Sequence, residues 1–296
     1  MRDERYFRCF FTLVAVAALC CCQSKKRPET TANLIDDLQH SSQARKQADA
    51  ARRLGERKAT EAVPHLIRAL KDVDPVRSSA ARALGVIKDR RAVGPLIELL
   101  TDFSPAVRAA SARALGNLKD STAVLPLAAS LTAGNEEAGP ALAQIGESAI
   151  GPLIDCLREA ASRHAATDAL IAIGQPAVPA LVQSIHSSDS EDMRVAIARV
   201  LAETNDPRAA DALHAVLKDG NLRLAAASYK FLLRNRTADN DALLVDALRE
   251  YGRIDMAQAL AVSGDPELRA ASQRWADMNH FPPEMLESKV ATAPSR

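Results

Sequence analysis

A pentapeptide that returns at a near-constant interval constrains this chain more than any other feature. "ARRLG" ends at Gly55, "ARALG" at Gly85 and again at Gly116, "LAQIG" at Gly146 and "LIAIG" at Gly174. The spacings are 30, 31, 30 and 28 residues, and "ARVLA" follows 28 later with Ala202 in the glycine's place. A period of that length signals a stacked array of small units rather than one globular core. A second segment recurs in the same phase. "AVPHLIRALKDVDPVR" at 62–77 and "AVGPLIELLTDFSPAVR" at 92–108 both carry an apolar run, an acid, a proline and then Val-Arg.

Each unit divides into two helical signals. "PVRSSAARALG" at 75–85 opens on a proline, and Val76, Ala80, Ala83 and Leu84 follow at helical spacing. The glycines at 55, 85, 116, 146 and 174 are expected as left-handed caps ending this first helix. In "AVGPLIELLTD" at 92–102, Val93, Leu96, Ile97 and Leu100 form one stripe, the mark of a core-facing helix. Pro64, Pro95, Pro126, Pro152 and Pro179 all fall in its opening turn, where no helical N–H partner is lost. Hydrophobic residues make up 47% of the chain but aromatics only 3%, which suits thin, closely packed helices. Long runs of β-branched residues, needed for buried strands, are absent. The predicted fold class is therefore all-α: an α-solenoid of stacked antiparallel helix pairs, about seven to eight repeats, over residues 31–278. "NLIDDL" at 33–38 reads as a lone second helix capping the N-terminal end, and residues 279–296 as a polar tail. Tyr229, Phe231, Tyr251, Trp275 and Phe281 gather in the last quarter, either to fill an irregular terminal core or as an exposed anchor.

The N-terminus has a different character. Arg2, Arg5 and Arg8 precede "CFFTLVAVAALCCC" at 9–22, and the polar "QSKKRPE" follows. That apolar stretch is shorter than the roughly 20 residues a membrane-spanning helix requires, so the layout is that of a secretory signal. Leu19-Cys20-Cys21-Cys22 resembles a bacterial lipobox, with Cys22 the best-placed acceptor for lipid and Cys21 the alternative. Cysteine stands before the cleavage point where Gly or Ala is usual. The resemblance implies removal of residues 1–21, a polar linker at 22–30, and a lipoprotein anchored in the bacterial cell envelope facing the periplasm. An ordinary cleaved signal and an uncleaved anchor are the other readings.

Loss of residues 1–21 removes three basic and two acidic side chains from totals of 38 and 37, leaving a formal charge of zero. Nucleic-acid binding is not expected, because such proteins show a basic excess. Motifs for chemistry are also missing: no zinc-type Cys/His spacing, no HExxH, no GxSxG and no phosphate loop. Asp36/Asp37 and Glu191/Asp192 are sequence neighbours that diverge by about a hundred degrees on a helix, so they read as solvated helix starts. Cys156 reads as a small buried hydrophobe. The expectation is a protein that is not an enzyme and carries no cofactor and no metal.

"DPVRSSAARALGVIKDRRAVGPLIELL" resembles a HEAT-type repeat of the short bacterial variety shared with phycobilin-lyase subunits. The resemblance implies a right-handed solenoid whose second helices line a concave, partner-binding face. It also implies a ladder of aspartate and arginine between units, matched by Asp72/Arg77, Asp102/Arg108, Asp189/Arg194 and Asp219/Arg223 and interrupted at "TAGNEEAG". A structural bridge is one role for these arginines, and a ligand-binding row is the other. HEAT-type deoxyhypusine hydroxylases bind iron through His-Glu dipeptides, and none of the six histidines here precedes a glutamate. On the second helices the stripe leaves Arg68, Lys71, Glu98, Asp155, Arg158 and Gln183 facing the groove or its rim, a mixed-sign row without aromatics. Such a row suits a protein or peptide partner better than nucleic acid. A protein–protein interaction scaffold is the expected function. The alternatives are an accessory or regulatory subunit of an enzyme complex, of lyase-like ancestry, and a purely structural envelope protein.

Overall fold

The computed structural model describes residues 30–287 apart from 205 and 219. The proposed signal, Cys21, Cys22, the linker before residue 30 and Asp219 lie outside the described residues. Among those described there is no strand, and no single helix is long and apolar enough to cross a membrane.

The lone helix α1 (Thr31–His40) is followed by helix pairs. These are α2 (Ala44–Glu56) with α3 (Val63–Ala69), α4 (Asp74–Ile87) with α5 (Val93–Glu98), and α6 (Pro105–Leu118) with α7 (Val124–Thr132). Next come α8 (Ala138–Ile145) with α9 (Ile150–Cys156), α10 (Ala160–Ile173) with α11 (Val178–Ser187), and α12 (Glu191–Thr204) with α13 (Pro207–Leu217). Each first helix packs on the first helix of the next pair, and α1 joins the row of second helices by packing on α2 and α3. Between the two rows runs one continuous core. Leu54, Leu84, Leu115, Leu142 and Leu170 from the first helices and Leu66, Leu96, Leu127, Leu153 and Leu181 from the second are fully buried in it. Because no pair closes its own apolar stripe, stability belongs to the stack.

The glycines do not all act as the period implies. Gly55, Gly85 and Gly116 lie inside α2, α4 and α6, not at their ends. The left-handed caps sit three residues later, at Lys58 (φ 49), Lys88 (φ 63) and Lys119 (φ 54). Gly146 (φ 93) and Gly174 (φ 74) do occupy that cap position. The repeated "-G" is thus two columns one helical turn apart. The interior column exists for contact: a Cβ on Gly85 would stand 2.6 Å from the Cα of Ala114, and one on Gly55 2.7 Å from the Cα of Ala83. Each interior glycine accepts the "ALG" alanine of the following unit, or Ala141 in the case of Gly116. The first helices therefore approach at backbone distance.

Beyond α13 the units shorten. α14 (Leu222–Ala227) and α15 (Tyr229–Arg234) are almost continuous, broken only at Ser228, whose hydroxyl donates to the carbonyl of Leu224 at 2.6 Å. α16 (Ala238–Tyr251), α17 (Ile254–Ala261) and α18 (Pro266–Met278) complete the array with the single turn α19 (Glu284–Glu287). The stack extends past residue 278, where the polar tail was expected to begin. Phe281 stacks on Trp275 at a centroid distance of 5.5 Å, and Leu286 is buried. Tyr229, Phe231 and Trp275 fill the terminal core, whereas Tyr251 remains exposed.

Candidate functional site

The acid–arginine ladder is geometric as well as textual. Arg77 donates from Nη1 to the carbonyl of Asp72 at 2.8 Å and from Nη2 to Oδ1 of Asp102, one unit on, at 3.1 Å. It also pairs with Asp74. The side chains of Arg77 and Asp102 are only 11% and 8% exposed. Phe103 lies against the Arg77 guanidinium at 4.7 Å and supplies a cation–π contact where Nε has no hydrogen-bond partner. In the first unit Gln47 takes the same place, donating from Nε2 to the carbonyl of Leu38 at 3.2 Å and to Asp72 at 3.3 Å. Arg108 donates to the carbonyls of Asp102 and Phe103 at 2.9 and 3.2 Å. At the "TAGNEEAG" interruption the buried Asn135 donates to the carbonyl of Arg108 at 3.3 Å and to Ser130 Oγ at 2.9 Å, so an amide joins these two units as a donor, without receiving the arginine.

Farther along, the ladder changes register. The expected Asp189–Arg194 rung is not formed: Asp189 is exposed, and Arg194 Nε is buried without a hydrogen-bond partner. The carboxylates that receive arginines here are Glu191 and Asp192, which open α12. Arg223 pairs with Glu191 at 3.0 Å and with Asp192 at 2.8 Å, and Arg163 reaches Asp192 from the other side at 3.4 Å. These two acids are therefore not merely solvated helix starts. The hydrogen bond from Arg223, and then the charge of Arg163, hold the Asp192 carboxyl below the usual carboxylate range. Arg163 also donates to the carbonyls of Leu157 and Arg158 at 2.9 and 3.2 Å, a rung the sequence pattern did not mark.

Arg68, Lys71, Glu98, Asp155, Arg158 and Gln183 are all exposed on or just beyond the second helices. Among them Asp155 and Arg158 approach each other at 4.0 Å. Between α7 and α9 a hollow of about 250 Å³ is lined by Leu125, Ala129, Thr132, Pro152, Asp155 and Cys156. Leu125 there is 72% exposed, while Cys156 is buried and its thiol is pushed up by desolvation and by the neighbouring Asp155 charge.

A larger cavity, about 410 Å³, opens on the other row, where the first helices of the irregular end meet. Arg163, Arg199, Arg223 and Arg253 line it together with Asp192, over a base that includes Val195, Ala226 and Met256. Tyr251, 49% exposed, is also part of its wall. None of the six groove residues reaches this cavity. Sequence reasoning missed it because it draws on elements spread over residues 160–256, where the period fades. The one available signal was the arginine of "ARVLA", Arg199.

Histidines are dispersed. His40 meets Asp36 at 2.9 Å, His164 faces Asp168 at 3.5 Å, and His214 sits edge-on to Phe231 at 4.9 Å. Among the described residues there is no group of three or more His, Cys, Asp or Glu that could hold a metal ion.

A family profile for HEAT repeats matches residues 31–102, 74–138 and 178–263. Among curated proteins, none matches the sequence. Among solved structures, the complex of CpcE and CpcF of phycocyanin lyase from Nostoc sp. is 25% identical. The match covers 86% of this chain and 97% of that one, with a TM-score of 0.44. Human deoxyhypusine hydroxylase is 19% identical over 84% of this chain and 96% of its own, with a TM-score of 0.34. A designed armadillo repeat protein is 17% identical over 84% and 99%, with a TM-score of 0.30. The profile matches span more than half of the sequence and fall on the helix pairs described above, and on that ground the chain belongs to the HEAT repeats.

Proposed function

We propose that the protein is a non-enzymatic docking scaffold that presents the face of its second helices to a protein or peptide segment. The observation that carries this reading is the division of labour among polar groups. Arg77, Arg108 and Arg163 of the first-helix ladder are consumed by carboxylates and carbonyls of the array, whereas Arg68, Lys71, Glu98 and Gln183 are exposed on the second-helix row. Beside them the hollow with Leu125 at its edge offers apolar contact next to the Asp155 carboxylate. An apolar anchor ringed by polar groups of both signs is the composition of a protein-binding surface. In this reading a lipid on Cys22, or on Cys21, holds the array at the bacterial envelope.

Two experiments test it. Photo-crosslinking from position 98, performed in cells, is expected to trap a defined partner that the variant carrying Arg68→Glu, Leu125→Glu and Asp155→Arg no longer captures. Equal capture by that variant would remove the second-helix face from the account. Metabolic labelling with a fatty acid is expected to mark the wild type and to fail in Cys22→Ser. Label that persists in Cys22→Ser moves the acceptor to Cys21 or Cys20, and a wild type without label ends the anchor reading.

A further inference from the structure

The cavity on the first-helix row has a charge pattern that nothing in the ladder explains. Four guanidinium groups face it: Arg163, Arg199, Arg223 and Arg253. Three of them have acidic partners. Arg163 and Arg223 share Asp192, Arg223 also holds Glu191, and Arg253 holds Asp255 at 3.0 Å. Three carboxylates thus offset four cations, and Arg199 is the remainder. It is half-buried and makes neither a hydrogen bond nor an ion pair with any described residue.

Its counterparts in the repeat sharpen the point. The arginine of "ARRLG", Arg52, pairs with Asp49 and Glu56, and the arginine of the second "ARALG", Arg113, pairs with Glu137 at 2.8 Å. Arg82, in the first "ARALG", lies exposed to solvent. Only at Arg199 does this column turn a partly desolvated, unpaired guanidinium into a cavity. Its planar fork of donors matches a carboxylate with two parallel hydrogen bonds. The two arginines on either side of Asp192 add positive potential and are already held in place by their own pairs.

Apart from His164, which faces Asp168, and the buried Thr167, the rest of the wall is apolar: Val195, Ala196, Ala226, Ala227 and Met256 among others, with the ring of Tyr251 exposed beside them. An excess of one cation over an apolar base calls for a monoanion attached to an apolar body. A volume of about 410 Å³ lies within the range of small-ligand sites. We propose that this cavity binds a carboxylate on an apolar or aromatic stem, with Arg199 as the carboxylate-binding residue and Met256 and Tyr251 contacting the stem. The carboxylate comes either from a free small acid or from the C-terminus of a peptide. This site is separate from the second-helix row, so failure of either leaves the other standing.

The test is calorimetric titration of the full-length chain in detergent with N-acetylphenylalanine, its carboxamide, 3-phenylpropionate, a dipeptide ending in phenylalanine, and inorganic phosphate. Saturable binding of the acids is expected, with the carboxamide weaker by about tenfold or more, as loss of a charge-assisted pair implies. Arg199→Gln is expected to lower acid affinity by about tenfold while leaving the unliganded melting temperature unchanged, and Arg199→Lys is expected to fall between. A dipeptide that binds more tightly than 3-phenylpropionate identifies a peptide C-terminus as the source; the reverse order identifies a small acid. Equal binding of acid and carboxamide, full affinity in Arg199→Gln, preference for phosphate, or no saturable binding of either acid would each overturn the proposal.

Discussion

Substituting Gly85 by alanine sets two physical rules against each other, and the structure says which one wins. On helix propensity alone, alanine inside α4 would stabilise the chain by about 0.8–1.0 kcal/mol. Geometry opposes this. The new Cβ would stand 2.6 Å from the Cα and 2.8 Å from the Cβ of Ala114, whereas carbon pairs rest at about 3.5–4 Å. Because the obstructing Cα belongs to the backbone, no rotamer relieves it. α4 and α6 have to separate by about 1 Å, which forfeits part of the contact energy along both helices. Overpacking of this kind costs typically about 1–3 kcal/mol and occasionally more, so after the propensity gain the net loss is about 0–2 kcal/mol. For an array of this size that corresponds to a fall of up to about 8 °C in melting temperature. The assay is thermal unfolding followed by circular dichroism, with Gly94→Ala as the control. A Cβ at Gly94 meets nothing within 4 Å, so that variant is expected to match or slightly exceed the wild type. A Gly85→Ala protein as stable as the control would refute the close-approach explanation and return the glycine column to capping.

Other expectations follow from the same geometry. Asp102→Ala removes the inter-unit carboxylate from the nearly buried Arg77, which keeps Asp74 and the Asp72 carbonyl, and is expected to cost about 1–3 kcal/mol in urea unfolding; a loss under about 0.5 kcal/mol would mean the rung behaves as a solvated surface pair. Asp206 caps α13, and its carboxyl is lowered from 3.8 to about 2 by the Arg208 side chain and then by the Arg208 backbone N–H. A depressed folded-state value means its stabilisation is present above the unfolded value and fades as pH falls from about 4 to about 2. The melting-temperature gap between wild type and Asp206→Asn is therefore expected to narrow over that interval, and a gap undiminished at pH 2 would contradict the assignment. Buried Cys156, with its thiol pushed up, is expected to resist alkylation at pH 8 until denaturant is added, read by mass spectrometry of the peptide that contains it.

Much of the fold was legible because its determinants are periodic. Leu84 and Leu96 recur one unit later as Leu115 and Leu127, and a stripe at helical spacing that repeats every thirty residues allows little besides stacked pairs. What the pattern could not separate was two columns a single turn apart. Gly85 and Gly146 look equivalent in sequence, yet one admits a neighbouring helix and the other ends its own. Register in the ladder was likewise invisible at α12: the aspartate nearest the arginine in sequence, Asp189, makes no rung, while Glu191 and Asp192, read as solvated, hold Arg223 and Arg163. The cavity was hidden for a third reason. Arg199 sits in a motif whose other copies are paired or solvent-facing, and only the irregular packing of α14, α16 and α17 gives it different surroundings.

The central claim is that the repeated motif is architecture and that recognition arises where a motif residue meets non-repeating surroundings. One thermal melt, run with and without N-acetylphenylalanine on wild type, Arg77→Gln and Arg199→Gln, tests it directly. The account predicts that Arg77→Gln melts earlier but keeps its ligand-induced shift, whereas Arg199→Gln melts with the wild type and loses that shift. Two variants that change both readings together, or that exchange them, would contradict it.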